Sequence, residues 1–169
     1  MQYKEYKKNK GFYRGGGIAV TGGEPLIYED TLEFLAEIKA LGFLVKLDTN
    51  GFFPDRLEKA INSGNVDYVA MDIKNSKERY NETVGIDKFD ISLMEKSVEI
   101  LMKSGVDFEF RTTVTKNFHT IEDIEKIGKW IKGAKKYFLQ KSYTVPLFSQ
   151  FSSQTINPLN NLYNRIYSS

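Results

Sequence analysis

Five short runs of β-branched, aromatic and aliphatic residues punctuate the chain, at 17–21, 43–47, 68–73, 108–114 and 136–139. Each has the length and residue types of a strand. Between them the apolar positions take a helical period: Thr31, Leu32, Leu35, Ile38 and Leu41, then Leu57, Ala60 and Ile61, then Ile91, Met94, Val98 and Leu101, then Ile121, Ile124, Ile127 and Trp130. A glycine follows each set, at Gly42, Gly64, Gly105 and Gly133, where helices commonly stop. Thr120 and Asp123 sit as the hydroxyl and carboxylate of a helix start should, the acid favoured at the positive end of the helix.

Strands alternating with helices predict a parallel sheet, because parallel neighbours are joined only by a connection long enough to hold a helix. Two α/β layouts are compatible with this pattern, a doubly wound open sheet and an arc of a (β/α) barrel. Periodicity does not separate them.

After Gln140 the pattern stops. Residues 141–169 carry only Lys141 and Arg165 as charges, and about half of them are Ser, Thr, Asn or Gln, a composition poor in core-forming side chains. The predicted organisation is one domain over residues 1–140 and a polar segment over 141–169, a loop followed by a short helix with Pro158 in its first turn.

Composition narrows the function classes. The 24 basic and 22 acidic side chains leave a formal charge of +2, which gives no electrostatic reason to expect nucleic acid or an anionic membrane as partner. The lysines between Lys4 and Lys10 read as a solvated helix end. No stretch approaches the roughly 20 apolar residues that span a bilayer, and the N-terminus lacks the apolar core of a signal peptide. A cytoplasmic protein is expected. The chain has no cysteine and one histidine, His119, so disulfides, thiolate-bound metals and multi-histidine zinc sites are excluded within these residues. His119, just before a predicted helix, reads as a structural hydrogen-bonder rather than a base, and Trp130 as core.

Polar residues gather where the strands end: Thr21 to Pro25 after the first, Asp48 to Gly51 after the second, Asp72 and Lys74 after the third, Arg111 to Thr113 on the fourth, Gln140 on the fifth. The strand bodies are apolar apart from Lys46 and Glu109. The C-terminal edge of a parallel sheet is where loops converge and ligands bind. Gly22 and Gly23 leave backbone open to a ligand ammonium or carboxylate, and Glu24 complements an ammonium. Lys74 and Arg111 suit a carboxylate or ribose hydroxyls. Asp48 and Asp72 suit a hard cation or a ribose.

The segments GGGIAVTGGEPLI, LDTNGF, VDYVAMDIK, FEFRTTV and YFLQ, in that order and spacing, resemble the radical S-adenosylmethionine activating enzymes of glycyl-radical enzymes. The likeness runs nearly to Gln140. It is strongest toward the anaerobic ribonucleoside-triphosphate reductase activating proteins, with the pyruvate formate-lyase activating enzymes as near relatives. It implies a partial (β/α) barrel. It also implies S-adenosylmethionine bound by Gly22, Gly23, Glu24 and Pro25 at the methionyl ammonium and by Lys74 at the methionyl carboxylate. Asp48, Thr49 and Asp72 match positions that hold a monovalent cation in the formate-lyase branch, Arg111 and Thr113 match cofactor-lining positions, and Leu139 is expected near the adenine.

That family ligates a [4Fe-4S] cluster through a Cys-x3-Cys-x2-Cys loop, which this sequence lacks. The first β-α unit is therefore expected to be missing, and the chain as given to be inactive, since no side chain supplies the electron that cofactor cleavage needs. The partner implied is a glycyl-radical enzyme, of the anaerobic ribonucleotide reductase or formate lyase type. An exposed edge at the first strand is expected to favour a dimer. The other readings are a non-catalytic α/β module that binds a cofactor or a partner, and a fragment of a pyruvate formate-lyase activating enzyme.

Overall fold

A computed structural model describes residues 16–141 and 153–155. The five strand runs form β1 (Gly17–Val20), β2 (Leu44–Thr49), β3 (Tyr68–Asp72), β4 (Asp107–Val114) and β5 (Tyr137–Lys141). The helices between them are α1 (Thr31–Ala40), α2 (Pro54–Asn62), a short α3 (Tyr80–Val84), α4 (Ile91–Lys103) and α5 (Ile121–Trp130). Neighbouring strands are parallel in the unbroken order β1-β2-β3-β4-β5. A sixth strand, β6 (Ser153–Thr155), pairs antiparallel with β5.

The unbroken order decides between the two layouts. Right-handed crossovers put every helix on the same face unless the strand order reverses, and a doubly wound sheet requires that reversal. This sheet is an arc of barrel, with helices on one side only. Burial along the strands agrees. In β2, Val45, Leu47 and Thr49 are buried while Lys46 and Asp48 are not, and in β4 Phe110, Thr112 and Val114 are buried between Glu109, Arg111 and Thr113.

The helix-facing side holds the core. Val45, Leu47, Val69, Met71 and Phe110 from the strands pack with Leu35, Ile38, Leu57, Met94, Leu101 and Ile127 from the helices, all nearly inaccessible to water. Each such side chain contributes roughly 1.5–3 kcal/mol by leaving water. Trp130 packs against this core and edge-on to Tyr80 at 6.4 Å.

The helix starts follow local chemistry. Asp90 caps α4 by accepting from the Ser92 amide at 3.0 Å. Thr120 and Asp123 form a full capping box at α5, the hydroxyl accepting from the Asp123 amide at 3.2 Å and the carboxylate from the Thr120 amide at 2.9 Å.

Three features depart from the sequence reading. β2 runs two residues further than 43–47, so Asp48 and Thr49 lie within the strand. Residues 77–84 form a 3-10 turn (Lys77–Arg79) and α3, where no helix is expected. Residues 153–155, read as loop, add a strand to the sheet. The helix expected from Pro158 lies outside the described residues. No helix among the described residues is long and apolar enough to cross a membrane.

Candidate functional site

The loop after β1 is built on two glycines with positive φ, +106° at Gly22 and +33° at Gly23. An added Cβ at either would meet nothing within 4 Å, so conformation, not crowding, requires glycine there. The space over this backbone is open. A cleft of about 490 Å³ runs along the loop, lined by Thr21, Gly22, Gly23 and Tyr28 among others.

Glu24 holds the loop in place and is 8% exposed. Its Oε1 accepts from the Leu26 amide at 3.0 Å and from Thr49 Oγ1 at 2.9 Å, and its Oε2 accepts from the Asn50 amide at 2.6 Å. Of the four or so lone-pair directions on a carboxylate, about one is left for a ligand. Pro25 is buried at the start of a 3-10 turn (Pro25–Ile27), and its carbonyl accepts from Thr31 Oγ1 at 2.5 Å. From α2, Arg56 donates to the carbonyls of Leu26 and Ile27 at 2.8 and 2.7 Å. The glycine pair therefore sits on a braced turn.

The helix-free face of the sheet carries a line of charges. Arg111 Nε donates to Asp72 Oδ1 at 3.0 Å, and its Nη1 reaches Asp48 Oδ2 at 3.5 Å. Lys74 Nζ donates to Asp72 Oδ2 at 2.9 Å. Lys46 Nζ lies 3.1 Å from Asp48 Oδ1 and 3.9 Å from Glu109 Oε1. Tyr68 donates to Glu109 Oε2 at 2.8 Å, and Lys136 reaches the Tyr68 hydroxyl at 3.3 Å. Burial works against the Arg111 charge, but Asp72 and Asp48 more than offset it and raise its pKa. Burial and the hydrogen bond to Glu109 push the Tyr68 phenol up as well. Asp48 Oδ1 faces Lys46 off the hydrogen-bonding direction, and this buried oxygen has no hydrogen bond.

The structure thus brings Asp48, Asp72, Lys74 and Arg111 together and joins Gly22, Gly23, Glu24 and Pro25 to the end of β2. Thr113 is on the charged face too, exposed, its hydroxyl 3.4 Å from Gln140 Oε1. Thr49 is separated from its neighbour Asp48. Successive strand residues face opposite ways, so Thr49 is buried on the helix side, where its hydroxyl serves Glu24 and the Gly51 amide. The three residues named for a monovalent cation consequently do not converge, and the Arg111 guanidinium already bridges Asp48 and Asp72. Leu139 lies in the apolar core, 3% exposed, paired with Thr112 on the helix side. No group of three or more His, Cys, Asp or Glu among the described residues could hold a metal.

Residues that the sequence reading did not assign to the site extend it. Lys46, Tyr68, Glu109 and Lys136 lengthen the charge line, and the alternation of LVKLDT and FEFRTT was the signal for Lys46 and Glu109. Asn75 and Ser76, both fully buried, tie the loop after β3 to that after β4: Asn75 Nδ2 donates to the Phe118 carbonyl and Ser76 Oγ to Asp123 Oδ1, at 2.8 and 2.9 Å.

The radical SAM superfamily pattern matches residues 2–131. The chain belongs to the radical SAM superfamily. A Methanocaldococcus jannaschii protein named as a glycyl-radical enzyme activating enzyme is 33% identical over 145 residues, covering 83% of this chain and 60% of that protein. A second protein of the same organism and name is 27% identical over 124 residues, covering 70% of this chain and 46% of its own length. The radical SAM chain described here thus spans about half to three-fifths of these relatives. A solved domain of a pyruvate-formate lyase-activating enzyme from Bacteroides vulgatus superposes with a TM-score of 0.64 at 15% identity, covering 91% of this chain and 94% of that one, a likeness of fold.

Membership implies S-adenosylmethionine and a [4Fe-4S] cluster in intact radical SAM enzymes. The residues present fit the first: open glycine backbone, a lysine and an arginine at one sheet edge, and a buried Asp48 oxygen lacking a hydrogen bond. They do not fit the second, because none of the 169 residues is a cysteine.

Proposed function

We propose that this chain is the S-adenosylmethionine-binding core of an activase that generates the glycyl radical of an anaerobic ribonucleotide reductase. The observation that carries the reading is the braced, open Gly22-Gly23 backbone at the same sheet edge as Lys74 and Arg111. In this reading Gly22 and Gly23 meet the methionyl ammonium through backbone carbonyls, and the remaining acceptor direction of Glu24 adds charge complementarity. Lys74 turns from Asp72 to the methionyl carboxylate, and Arg111 keeps Asp72 in place as it does so. Asp48 Oδ1 accepts from a ribose hydroxyl. S-adenosylmethionine supplies the source of a carbon radical when it is reductively cleaved.

The sequence likeness of VAMDIKNSKERYNETVG and of the stretch from FEFRTTV to YFLQ supports the ribonucleotide reductase as partner over formate lyase. A cytoplasmic location, the division at residues 140 and 141, and a dimer through β1 belong to the same reading. Among the described residues, β1 is hydrogen-bonded on one side only.

The test fuses a β-α unit carrying a Cys-x3-Cys-x2-Cys loop to the N-terminus of this chain and reconstitutes iron and sulfide. Reductive cleavage of S-adenosylmethionine to methionine, lost in Lys74→Ala, is the expected result. Cleavage unchanged in that variant rules out the assigned role of Lys74. Co-expression with each candidate reductase or lyase, read by the glycyl radical resonance, distinguishes the partners. The absence of cysteine supports a second reading, a cofactor-binding or interaction module without catalysis, for which no upstream cysteine loop would exist.

A further inference from the structure

Lys74 leaves the end of β3 with both of its backbone groups held by buried side chains. Its amide donates to the Tyr80 hydroxyl at 3.2 Å, and its carbonyl lies 2.7 Å from His119 Nε2. Tyr80 is fully buried and His119 is 3% exposed. The histidine belongs to a different connection, the loop between β4 and α5, which closes around it: the amides of Phe118 and His119 both donate to the Thr115 carbonyl, at 3.1 and 3.0 Å. The Thr115 amide points at His119 Nδ1, 3.2 Å away. The Lys74 carbonyl can only accept, so at 2.7 Å the Nε2 of His119 carries a hydrogen and donates to it.

Tyr80 is held as firmly. Its ring stacks on Phe89 at 5.4 Å and meets Trp130 edge-on. Burial raises its phenol well above the usual range, which keeps the hydroxyl neutral. Next in sequence, Asn75 and Ser76 fasten the same loop to Phe118 and Asp123. A turn at the mouth of a barrel would ordinarily be mobile, with its lysine sampling many directions. Here four consecutive polar attachments fix where the Lys74 side chain begins.

We infer that His119 is a positioning residue for Lys74: with Tyr80 on the amide, its Nε2–H on the carbonyl sets the direction in which the lysine projects toward Asp72 and a ligand carboxylate. Two connections far apart in sequence are thereby coupled at the one lysine of the site that must move between partners. The inference rests on the carboxylate-binding role of Lys74 for its functional meaning, while the positioning itself is independent of that role.

The experiment uses the full chain and four variants: His119→Leu removes the donor, His119→Gln restores an N–H near the position of Nε2, Tyr80→Phe removes only the hydroxyl, and Lys74→Ala removes the lysine. Thermal melting identifies the folded variants. Nitrogen relaxation at Lys74 Nζ, without ligand, is the deciding readout. Greater side-chain motion in His119→Leu or Tyr80→Phe, reversed in His119→Gln, is expected; a purely structural role would lower the melting temperature and leave the Lys74 signal unmoved. That unmoved signal in a folded variant overturns the inference. A titration with S-adenosylmethionine should then weaken about fivefold in His119→Leu, the effect of one neutral hydrogen bond, and His119→Leu should weaken it no further in a chain that already carries Lys74→Ala. Normal binding by Lys74→Ala, with altered Lys74 motion in His119→Leu, removes the carboxylate role and leaves the positioning standing.

Discussion

Glu24 reaches from the loop after β1 to Thr49 at the end of β2, where its Oε1 accepts the threonine hydroxyl at 2.9 Å. This contact, with the two backbone amides on the same carboxylate, makes the glycine turn and the second strand one unit. Glu24→Ala would leave three donors without a partner, and buried donors cost about 1–3 kcal/mol each when orphaned. Because water can reach part of the space vacated, a loss of about 2–4 kcal/mol is expected in urea unfolding. A loss below about 1 kcal/mol would mean that Glu24 does not brace the turn.

Arg111 joins three strands through Asp72 and Asp48 and is only 16% exposed. Arg111→Met should destabilise by about 2–3 kcal/mol, at the low end for a broken buried pair because Lys74 and Lys46 still face the carboxylates. Arg111→Lys is expected to recover less than half of this, since an ammonium lacks the fork that meets both acids. Full recovery by lysine, read as the same unfolding midpoint as the unaltered chain, contradicts the bridging geometry.

Asp123 combines four attachments, to the Thr120 amide and hydroxyl, Ser76 Oγ and Arg79 Nη1. Burial alone would raise its carboxyl, but these bonds, led by that from the Thr120 backbone, hold it at about 2 against the usual 3.8. A depressed carboxylate contributes stability above the unfolded value and loses it as pH falls through the folded one. Asp123→Asn should therefore cost about 1–2 kcal/mol at neutral pH, a cost that shrinks between the two values. An identical cost at neutral pH and near pH 2 would show that the charge plays no part.

Gly51 has φ +78°, and a Cβ there would collide with Met71 Cε and approach Met94 Cε to 3.1 Å. Gly51→Ala combines backbone strain with overpacking, and about 2–4 kcal/mol is expected. Calorimetric melting measures it; an unchanged melting temperature would mean the two methionines repack freely.

Much of this protein was legible before its structure. The five main strands, the four long helices and the α5 cap follow from local rules, period and punctuation, and those rules operate within a few residues. The site was legible in part. Gly22, Gly23, Asp72, Lys74 and Arg111 were singled out because charge and glycine at strand ends are conspicuous, and the structure places them along one sheet edge. Thr49 and Leu139 show the limit. Both were expected at the site from the resemblance, but a strand that continues two residues sends Thr49 away from Asp48, and the β4–β5 register turns Leu139 into the core. His119 was read as a structural hydrogen-bonder without its partner, the Lys74 carbonyl, and Tyr80 and Asn75 escaped because a buried polar residue announces nothing in sequence until its distant partner is known.

The sequence by itself determined the order and type of the principal elements, the placement of polar residues near strand ends and the resemblance to radical SAM activases, since each depends on neighbours along the chain. Only the tertiary structure decided that the strands lie in unbroken order, so that one face carries helices and the other a line of charges. It also decided which acids meet which bases. Hydrogen bonds such as His119 to Lys74 span 45 residues, and no local propensity encodes a partner at that separation. Their geometry follows from packing the core first and satisfying the buried polar groups within it.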